Sequence, residues 1–229
     1  MKSTILHILC EGQTEERFVK EILAPYLQQF NIYPKAILLL TSKKKNARGG
    51  MLSYVQAKRD LSILLQRYRD NDSEHHVFTT MFDFYALPDD FPGHAEVNKI
   101  HDPREQVNYL EKAFANDIKT SSFIPYIQLH EFEALLFVDI EMLKKEYPQA
   151  SHQIQTLKLE TDAYKDPEMI NNSPETAPSK RIIKALAKHY NYNKVQSGAA
   201  ITSVIGIERI LNCCQHFNSW IESIRSSAQ

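Results

Sequence analysis

Short apolar stretches alternate with amphipathic segments along the first part of the chain. Residues 5–10, 36–40 and 77–82 form nearly continuous apolar runs, as expected of strands covered on both faces. Between these runs, apolar residues recur at helical spacing, for example in segments 18–27 and 61–68. Strands that alternate with helices predict an α/β domain with a largely parallel sheet.

Several residues predict where elements begin or break. Asp102 followed by Pro103 and Glu105 predicts a helix start, with a cap, a proline at the first position and an early acid. Thr14 is the predicted N-cap of the first helix, in which Pro25 predicts a kink or an early end. Residues 124–129 form a fourth predicted strand, and its Pro125 predicts an edge position or a strand beginning.

From about residue 140 the pattern predicts helices alone. Apolar residues recur at helical spacing over 182–190 and again over 207–224. We therefore expect two parts: an α/β domain over residues 1–139 and a helical extension over residues 140–229 packed on it.

Composition and charge narrow the function only slightly. The chain is 43% hydrophobic and 24% charged, enough for a packed core, and its formal net charge of −1 indicates no class of partner. It has no apolar run of about 18 residues, so no membrane partner is expected. Its N-terminal residues lead straight into an acidic motif rather than a cleavage site, so we expect a cytoplasmic protein. The sequence does not indicate an oligomeric state.

Several common catalytic motifs do not occur in the sequence. With six glycines in all, it contains neither a Walker A loop nor a dinucleotide fingerprint. No Gly-x-Ser-x-Gly nucleophile elbow is present either. Cys213, Cys214 and His216 lack the further ligands that zinc requires nearby, and Cys214 is expected to be a buried thiol.

Acidic residues follow two of the predicted strands. Glu11 ends the first strand and Asp83 ends the third. Considered alone, each acid is explained as well by an ordinary role as by metal binding: Glu11 as a solvated turn residue and Asp83 as a strand-end cap. In an open parallel sheet, however, ligands collect where the carboxyl ends of the strands meet. Mg²⁺ and Mn²⁺ prefer oxygen ligands and Mg²⁺ keeps several waters, so two or three carboxylates suffice. The pair favours a divalent-metal site.

A third acidic element, residues 130–137, follows the fourth strand. Phe132 and Leu135 are predicted to pack on one side of a short helix. Glu131 and Glu133 then cannot both lie on that side, so we expect one to face the site and the other to be solvated. The sequence leaves open which of the two faces inward.

Basic residues on the same rim are candidates for holding substrate phosphates, with salt-sensitive affinity. The loop after the second strand contains four of them: Lys43, Lys44, Lys45 and Arg48. An ordinary solvated loop explains them equally well. Lys180 and Arg181 open a predicted helix, where cations oppose the helix dipole and a nearby anion would relieve the penalty.

The acidic motifs resemble those of a known family. Residues 11–15, Glu-Gly-Gln-Thr-Glu, resemble the opening of Toprim domains, and Asp83 with Tyr85 occupies the place of the Toprim Asp-x-Asp pair. More narrowly, the whole chain resembles an uncharacterised bacterial family of Toprim-like proteins. Residues 130–136, 174–181 and 214–220 extend that resemblance along most of the chain.

The resemblance implies a Mg²⁺- or Mn²⁺-dependent phosphodiester hydrolase, a Toprim-like nuclease. It implies catalytic roles for Glu11, Asp83 and Glu133, with Glu131 as a further metal ligand. Nucleic acid is the implied substrate. The implied working partner is an ATPase encoded nearby, as in bacterial phage-defence loci.

The chain departs from the Toprim pattern at Tyr85, where a second aspartate is expected. Either Glu131 or Glu133 supplies the missing carboxylate, or the second metal is weaker or absent. The alternative function is therefore a non-catalytic Toprim-like module that binds nucleic acid or a protein partner. A third reading is a phosphatase acting on a small substrate, although the residues after Asp83 lack the acid that such enzymes usually employ.

Overall fold

The chain forms a parallel sheet with helices on both faces. The computed structural model describes residues 2–39, 51, 53–171 and 173–228. The strands are β1 (Ser3–Cys10), β2 (Ile32–Leu38), β3 (Glu74–Asp83), β4 (Phe123–Ile124) and β5 (Ile127–Gln128). The α-helices are α1 (Gln13–Phe18), α2 (Ala24–Gln28), α3 (Tyr54–Arg67), α4 (His94–Val97), α5 (Pro103–Ile118), α6 (Leu143–Glu146), α7 (Ser151–Thr161), α8 (Pro178–Leu186), α9 (Lys194–Ile205), α10 (Ile207–Cys213) and α11 (Gln215–Ser227). A π-helical turn covers Val19–Leu23, and 3₁₀ segments cover Phe84–Ala86, Phe132–Met142, Pro148–Ala150, Pro167–Met169 and Pro174–Thr176.

The strand order confirms the predicted α/β class. The sheet runs β2-β1-β3-β4, with β5 also paired to β3, and each of these pairs is parallel. Cys10 at the end of β1 lies opposite Met81 of β3. The residues that follow these two positions therefore emerge at the same edge of the sheet.

The predicted fourth strand is split into β4 and β5 at Pro125 and Tyr126. Proline has no N–H to donate to a sheet. At this point the Thr80 hydroxyl takes the place of the backbone hydrogen bonds between strands. It accepts a hydrogen bond from the Tyr126 N–H (3.0 Å) and donates one to the Tyr126 carbonyl (2.9 Å). Pro125 directly follows β4, which lies at the end of the strand order, in agreement with the edge position that this proline predicts.

The first helix differs from the prediction at both ends. It begins at Gln13, with Gly12 rather than Thr14 as its N-cap, and the Glu15 carboxylate accepts a hydrogen bond from the Gly12 N–H (2.8 Å). The predicted early end at Pro25 is wrong, because a π-helical turn precedes this residue and helical residues continue to Gln28. The wider turn accommodates a proline that offers no N–H and crowds the preceding carbonyls.

Two apolar clusters cover the faces of the sheet. Ile8 points into one cluster, with Phe18 of α1 and Ile221 of α11. The next residue, Leu9, belongs to the other cluster, with Phe114 of α5. Because successive strand residues face opposite sides, burial on both faces explains the nearly continuous apolar run of β1.

The C-terminal helices share the first of these clusters. The Trp220 ring stacks on Tyr126 at a centroid distance of 4.1 Å, and its indole N–H donates to the Thr79 hydroxyl (2.8 Å).

The predicted helix over 207–224 is divided at Cys214 into α10 and α11, and α9 was not predicted. The boundary at residue 139 stays a prediction. No described helix is both long and apolar enough to cross a membrane.

Candidate metal centre

A cavity of about 690 Å³ opens at the carboxyl ends of β1 and β3. Among the described residues, four acidic residues, one lysine and Tyr85 line it. Its described lining consists of Glu11, Gly12, Gln13, Thr14, Glu15, Leu38, Leu39, Asp83, Tyr85, Ala86, Glu131, Lys194 and Val195. The cavity therefore lies at the edge where the strand-end argument predicts a site.

The structure brings Glu11 and Asp83 together. The Asp83 backbone N–H donates to Glu11 Oε2 at 3.1 Å, and the Phe132 N–H donates to Asp83 Oδ1 at 2.9 Å. The second oxygen of each carboxylate receives no hydrogen bond from any residue that the structure describes. Each acid is thus oriented through one oxygen, and the other has no hydrogen-bond partner among the described residues.

Two further carboxylates line the cavity in the same way. Glu15 is 7% exposed, and Glu131 accepts a hydrogen bond from the Ser179 N–H, the second residue of α8, at 2.9 Å. Sequence reasoning missed Glu15. The signal that was available is its position in the first turn of a helix that starts directly at the rim.

Glu133 corrects one expectation. Sequence reasoning placed one of Glu131 and Glu133 in solvent, but Glu133 is only 1% exposed and Glu131 lines the cavity. Glu133 is not among the described lining residues, and its Oε2 accepts a hydrogen bond from Lys194 Nζ (3.2 Å). Its Oε1 is buried with no partner among the described residues. The prediction failed because Lys194, from a distant helix, offsets the cost of burying this acid.

The acids raise one another's pKa values. Burial raises the pKa of Glu11 to about 7, with a contribution from Glu15, although the Asp83 N–H opposes the rise. Burial also raises the pKa of Glu133 to about 7. The pKa of Asp83 lies well above its ordinary range because of burial and then Glu15 and Glu11. Crowded, desolvated carboxylates of this kind gain a compensating charge when a cation binds.

Tyr85, which lines the cavity, and its neighbour His130 are both neutral. Tyr85 is 36% exposed, and burial followed by Glu131 raises its phenol pKa, so it supplies no anionic ligand at neutral pH. Its ring lies 5.2 Å from that of His130. His130 has a left-handed backbone (φ +61°), and burial lowers its pKa to about 4, so the imidazole is neutral.

The predicted phosphate-binding residues are not among the described lining residues. Lys43, Lys44, Lys45 and Arg48 lie outside the described residues. Lys180 and Arg181 line a different cavity of about 310 Å³ between α7 and α8. There the Arg181 Nε donates to the Thr176 carbonyl at 2.8 Å.

A separate acidic group lies at the start of α11. Within the described ranges, Asp166, Glu168 and Cys214 are the only three or more acids, cysteines or histidines whose candidate ligand atoms all lie within 4.8 Å of one another. Their carboxylate oxygens are occupied, because Asp166 pairs with Arg104 and Glu168 accepts from Gln128 and from backbone N–H groups of α11. This group anchors the helix.

The carboxylates of the acidic cavity are spaced more widely. Among the described residues, they do not form a group of three whose candidate ligand atoms all lie within 4.8 Å of one another. Its acidic side chains offer oxygen atoms as ligands, and oxygen ligands suit Mg²⁺ or Mn²⁺. Mg²⁺ commonly keeps several waters beside one or two carboxylates. Glu11 and Asp83, with Glu131, are the residues that would hold such an ion. The buried Glu133 Oε1, which has no partner among the described residues, is a further acceptor atom in this acidic group.

Comparisons with known proteins identify a family but no characterised relative. A family model described as Domain of unknown function (DUF4276) matches residues 10–225. No curated protein and no solved structure matches the chain. The matched span contains every acidic residue of the cavity.

Proposed function

The chain belongs to the family Domain of unknown function (DUF4276), and we propose that it is a Mg²⁺- or Mn²⁺-dependent phosphodiester hydrolase acting on nucleic acid. One observation carries the proposal: Glu11 and Asp83 meet at the ends of neighbouring parallel strands, joined by the hydrogen bond from the Asp83 N–H. Carboxylates fixed in this way are preorganised for a cation, since no side chain has to be ordered when it binds.

The residues of the cavity have different proposed roles. Glu11 and Asp83, each oriented by a backbone N–H, would hold the cation, and Glu131 would add a third carboxylate fixed by α8. A bound cation would supply charge that polarises a phosphoryl oxygen and stabilises the charge developing during hydrolysis. Glu133 holds Lys194 in place beside them.

The resemblance to Toprim domains supports a phosphodiester rather than a small phosphate ester as the substrate. The cavity is open and about 690 Å³ in volume, which suits a strand whose neighbouring phosphates lie outside it. We extend the proposal to a cytoplasmic role in phage defence beside an ATPase encoded nearby. The lysine-rich segment that contains Lys43, predicted from the sequence to follow the second strand, is the proposed contact for flanking phosphates.

Cleavage assays test this proposal. Wild-type protein, alone and with an ATPase encoded beside it, is incubated with end-labelled DNA and RNA in Mn²⁺, Mg²⁺ or EDTA. We expect metal-dependent cleavage that falls by at least about 100-fold in Glu11→Gln and in Asp83→Asn, because the loss of even a supporting group around a metal costs 10- to 100-fold. Glu96→Gln, which removes an exposed carboxylate of α4 that is not among the described lining residues of the cavity, is the matched control.

Tyr85 supports a second candidate, a non-catalytic module that binds nucleic acid or a protein partner. Its neutral phenol lies in the cavity where a second acid is expected. Binding of DNA, RNA or the ATPase without cleavage under every metal condition would favour this alternative over hydrolysis.

A further inference from the structure

We propose that the Lys194 ammonium supplies the second positive charge of the acidic cavity, so that the cavity takes one divalent cation rather than two. This inference rests on the proposed function, because it concerns the same cavity. It assigns a role to a residue in the helical part of the chain, more than 100 positions after Asp83.

Lys194 lies among the acids. Of the described residues that line the cavity, it is the only one with a cationic side chain. Its Nζ lies 3.2 Å from Glu133 Oε2. It also shares the lining of one cavity with four carboxylates: Glu11, Glu15, Asp83 and Glu131. A single ammonium is thus placed within the same acidic group that would hold a cation.

The local structure shows that the acids hold Lys194 in place. It is the first residue of α9, after Asn193, whose side chain accepts from the Gln196 N–H. A cation at a helix N-terminus opposes the helix dipole. Burial also disfavours the charged form, yet Glu133, Glu131 and Asp83 outweigh it and raise the pKa of Lys194. The ammonium is held there by the carboxylates, against the preference of its own helix.

Close packing fixes α9 against the site. A Cβ at Gly198 would lie 2.9 Å from Thr14 Cγ2 and 3.1 Å from Phe132 Cε1. Glycine therefore lets α9 approach both the first helix and the 3₁₀ segment that contains Glu133. That approach places Lys194, one turn earlier, at the cavity.

The residues around Lys194 offer few anionic ligands for a second cation. Tyr85 is a neutral phenol, and one oxygen of Glu133 is already occupied by Lys194. In two-metal sites the second ion helps to stabilise the charge on the entering and leaving oxygens. A lysine can bind phosphate as a point charge, and Lys clamps stabilise phosphoryl groups in transfer. Lys194 would thus neutralise phosphoryl oxygens of the substrate, with no proton transfer assigned to it.

Counting bound Mn²⁺ tests the inference without an activity measurement. Free Mn²⁺ is followed by electron paramagnetic resonance during titration of wild type, Lys194→Met, Lys194→Arg and Lys188→Met, the last being an exposed lysine of the same region. We expect one cavity ion in wild type, in Lys194→Arg and in Lys188→Met. We expect two in Lys194→Met, because Glu131 and Glu133 then lack a counter-charge.

The outcomes separate the two proposals. Two cavity ions in wild type, or one in a folded Lys194→Met, would overturn the role of Lys194 and leave the metal site standing. No ion in wild type would overturn the proposed function itself. If Lys194→Met does not fold, as judged by its circular dichroism, the wild-type count and Lys194→Arg decide the question.

Discussion

Glu11 accepts a hydrogen bond from the backbone N–H of Asp83, at 3.1 Å, across neighbouring parallel strands. The bond fixes the Glu11 carboxylate by the main chain that carries the second acid. Asp83 is fixed in turn by the Phe132 N–H. Three chain segments are thereby tied together at one point, before any ligand is bound.

We predict that Glu11→Gln stabilises the metal-free protein. Burial raises the Glu11 pKa to about 7, so its ionised form is costly at higher pH, whereas a glutamine oxygen still accepts from the Asp83 N–H. One pKa unit corresponds to about 1.4 kcal/mol, so we expect a gain of about 1–3 kcal/mol at pH 8. Urea denaturation in EDTA measures it. A loss of stability in Glu11→Gln would contradict the account, and Glu96→Gln should change by less than about 0.5 kcal/mol.

The stability of the metal-free protein should fall as pH rises. The folded-state pKa values of Glu11 and Glu133 are about 7, above their ordinary value of 4.5. The stabilisation by these two groups is therefore fully present below pH 4.5 and is lost as the pH rises through about 7. We expect the free energy of unfolding in EDTA to be lower at pH 8 than at pH 6, with a shallower slope in Glu11→Gln. Equal slopes in the two proteins would rule out this role for Glu11.

Added Mn²⁺ should have the opposite pH dependence. Protons compete with the cation for the cavity carboxylates, so its stabilising effect should be larger at pH 8 than at pH 6. Thermal unfolding with and without Mn²⁺ at both pH values measures this difference. Asp83→Asn should lose most of the Mn²⁺-induced shift, and an undiminished shift would place the ion elsewhere.

Gly198→Ala should destabilise the protein even though alanine favours helices by about 1 kcal/mol. The added methyl would meet Thr14 Cγ2 at 2.9 Å, and such overpacking typically costs about 1–3 kcal/mol. Chemical denaturation of Gly198→Ala, compared with exposed Ser203→Ala in the same helix, measures the effect. A more stable Gly198→Ala would show that α9 does not pack closely against the site.

Much of the site follows from sequence because it depends on strand ends. Glu11 and Asp83 each follow an apolar run, and parallel strands deliver such residues to a common edge. The pairing of Glu133 with Lys194 could not be predicted in this way. These two residues are 61 positions apart in sequence and meet only through tertiary packing, which the local pattern does not encode.

The differences within elements also have local physical causes. Pro125 divides a strand that the apolar pattern presents as continuous, because it lacks an N–H. The last helix is divided at Cys214, because Glu168 accepts hydrogen bonds from the first N–H groups of α11. Only the folded chain brings Glu168 to that position.

The helical part should depend on the contact between Trp220 and Thr79. Trp220→Phe removes a buried hydrogen bond of 2.8 Å and leaves the Thr79 hydroxyl without that donor. We expect a loss of about 1–3 kcal/mol. Thr79→Val and the double variant complete a cycle, in which a coupling energy of at least about 0.5 kcal/mol is expected. Strict additivity would mean that the pair contributes nothing specific.

The most direct test of the metal site is a crystal of the wild-type protein soaked in Mn²⁺, with the ion located from its anomalous signal. The account predicts a peak in the acidic cavity, in contact with carboxylate oxygens of Glu11 and Asp83. No peak in that cavity, or a peak only at Asp166, Glu168 and Cys214, would contradict it.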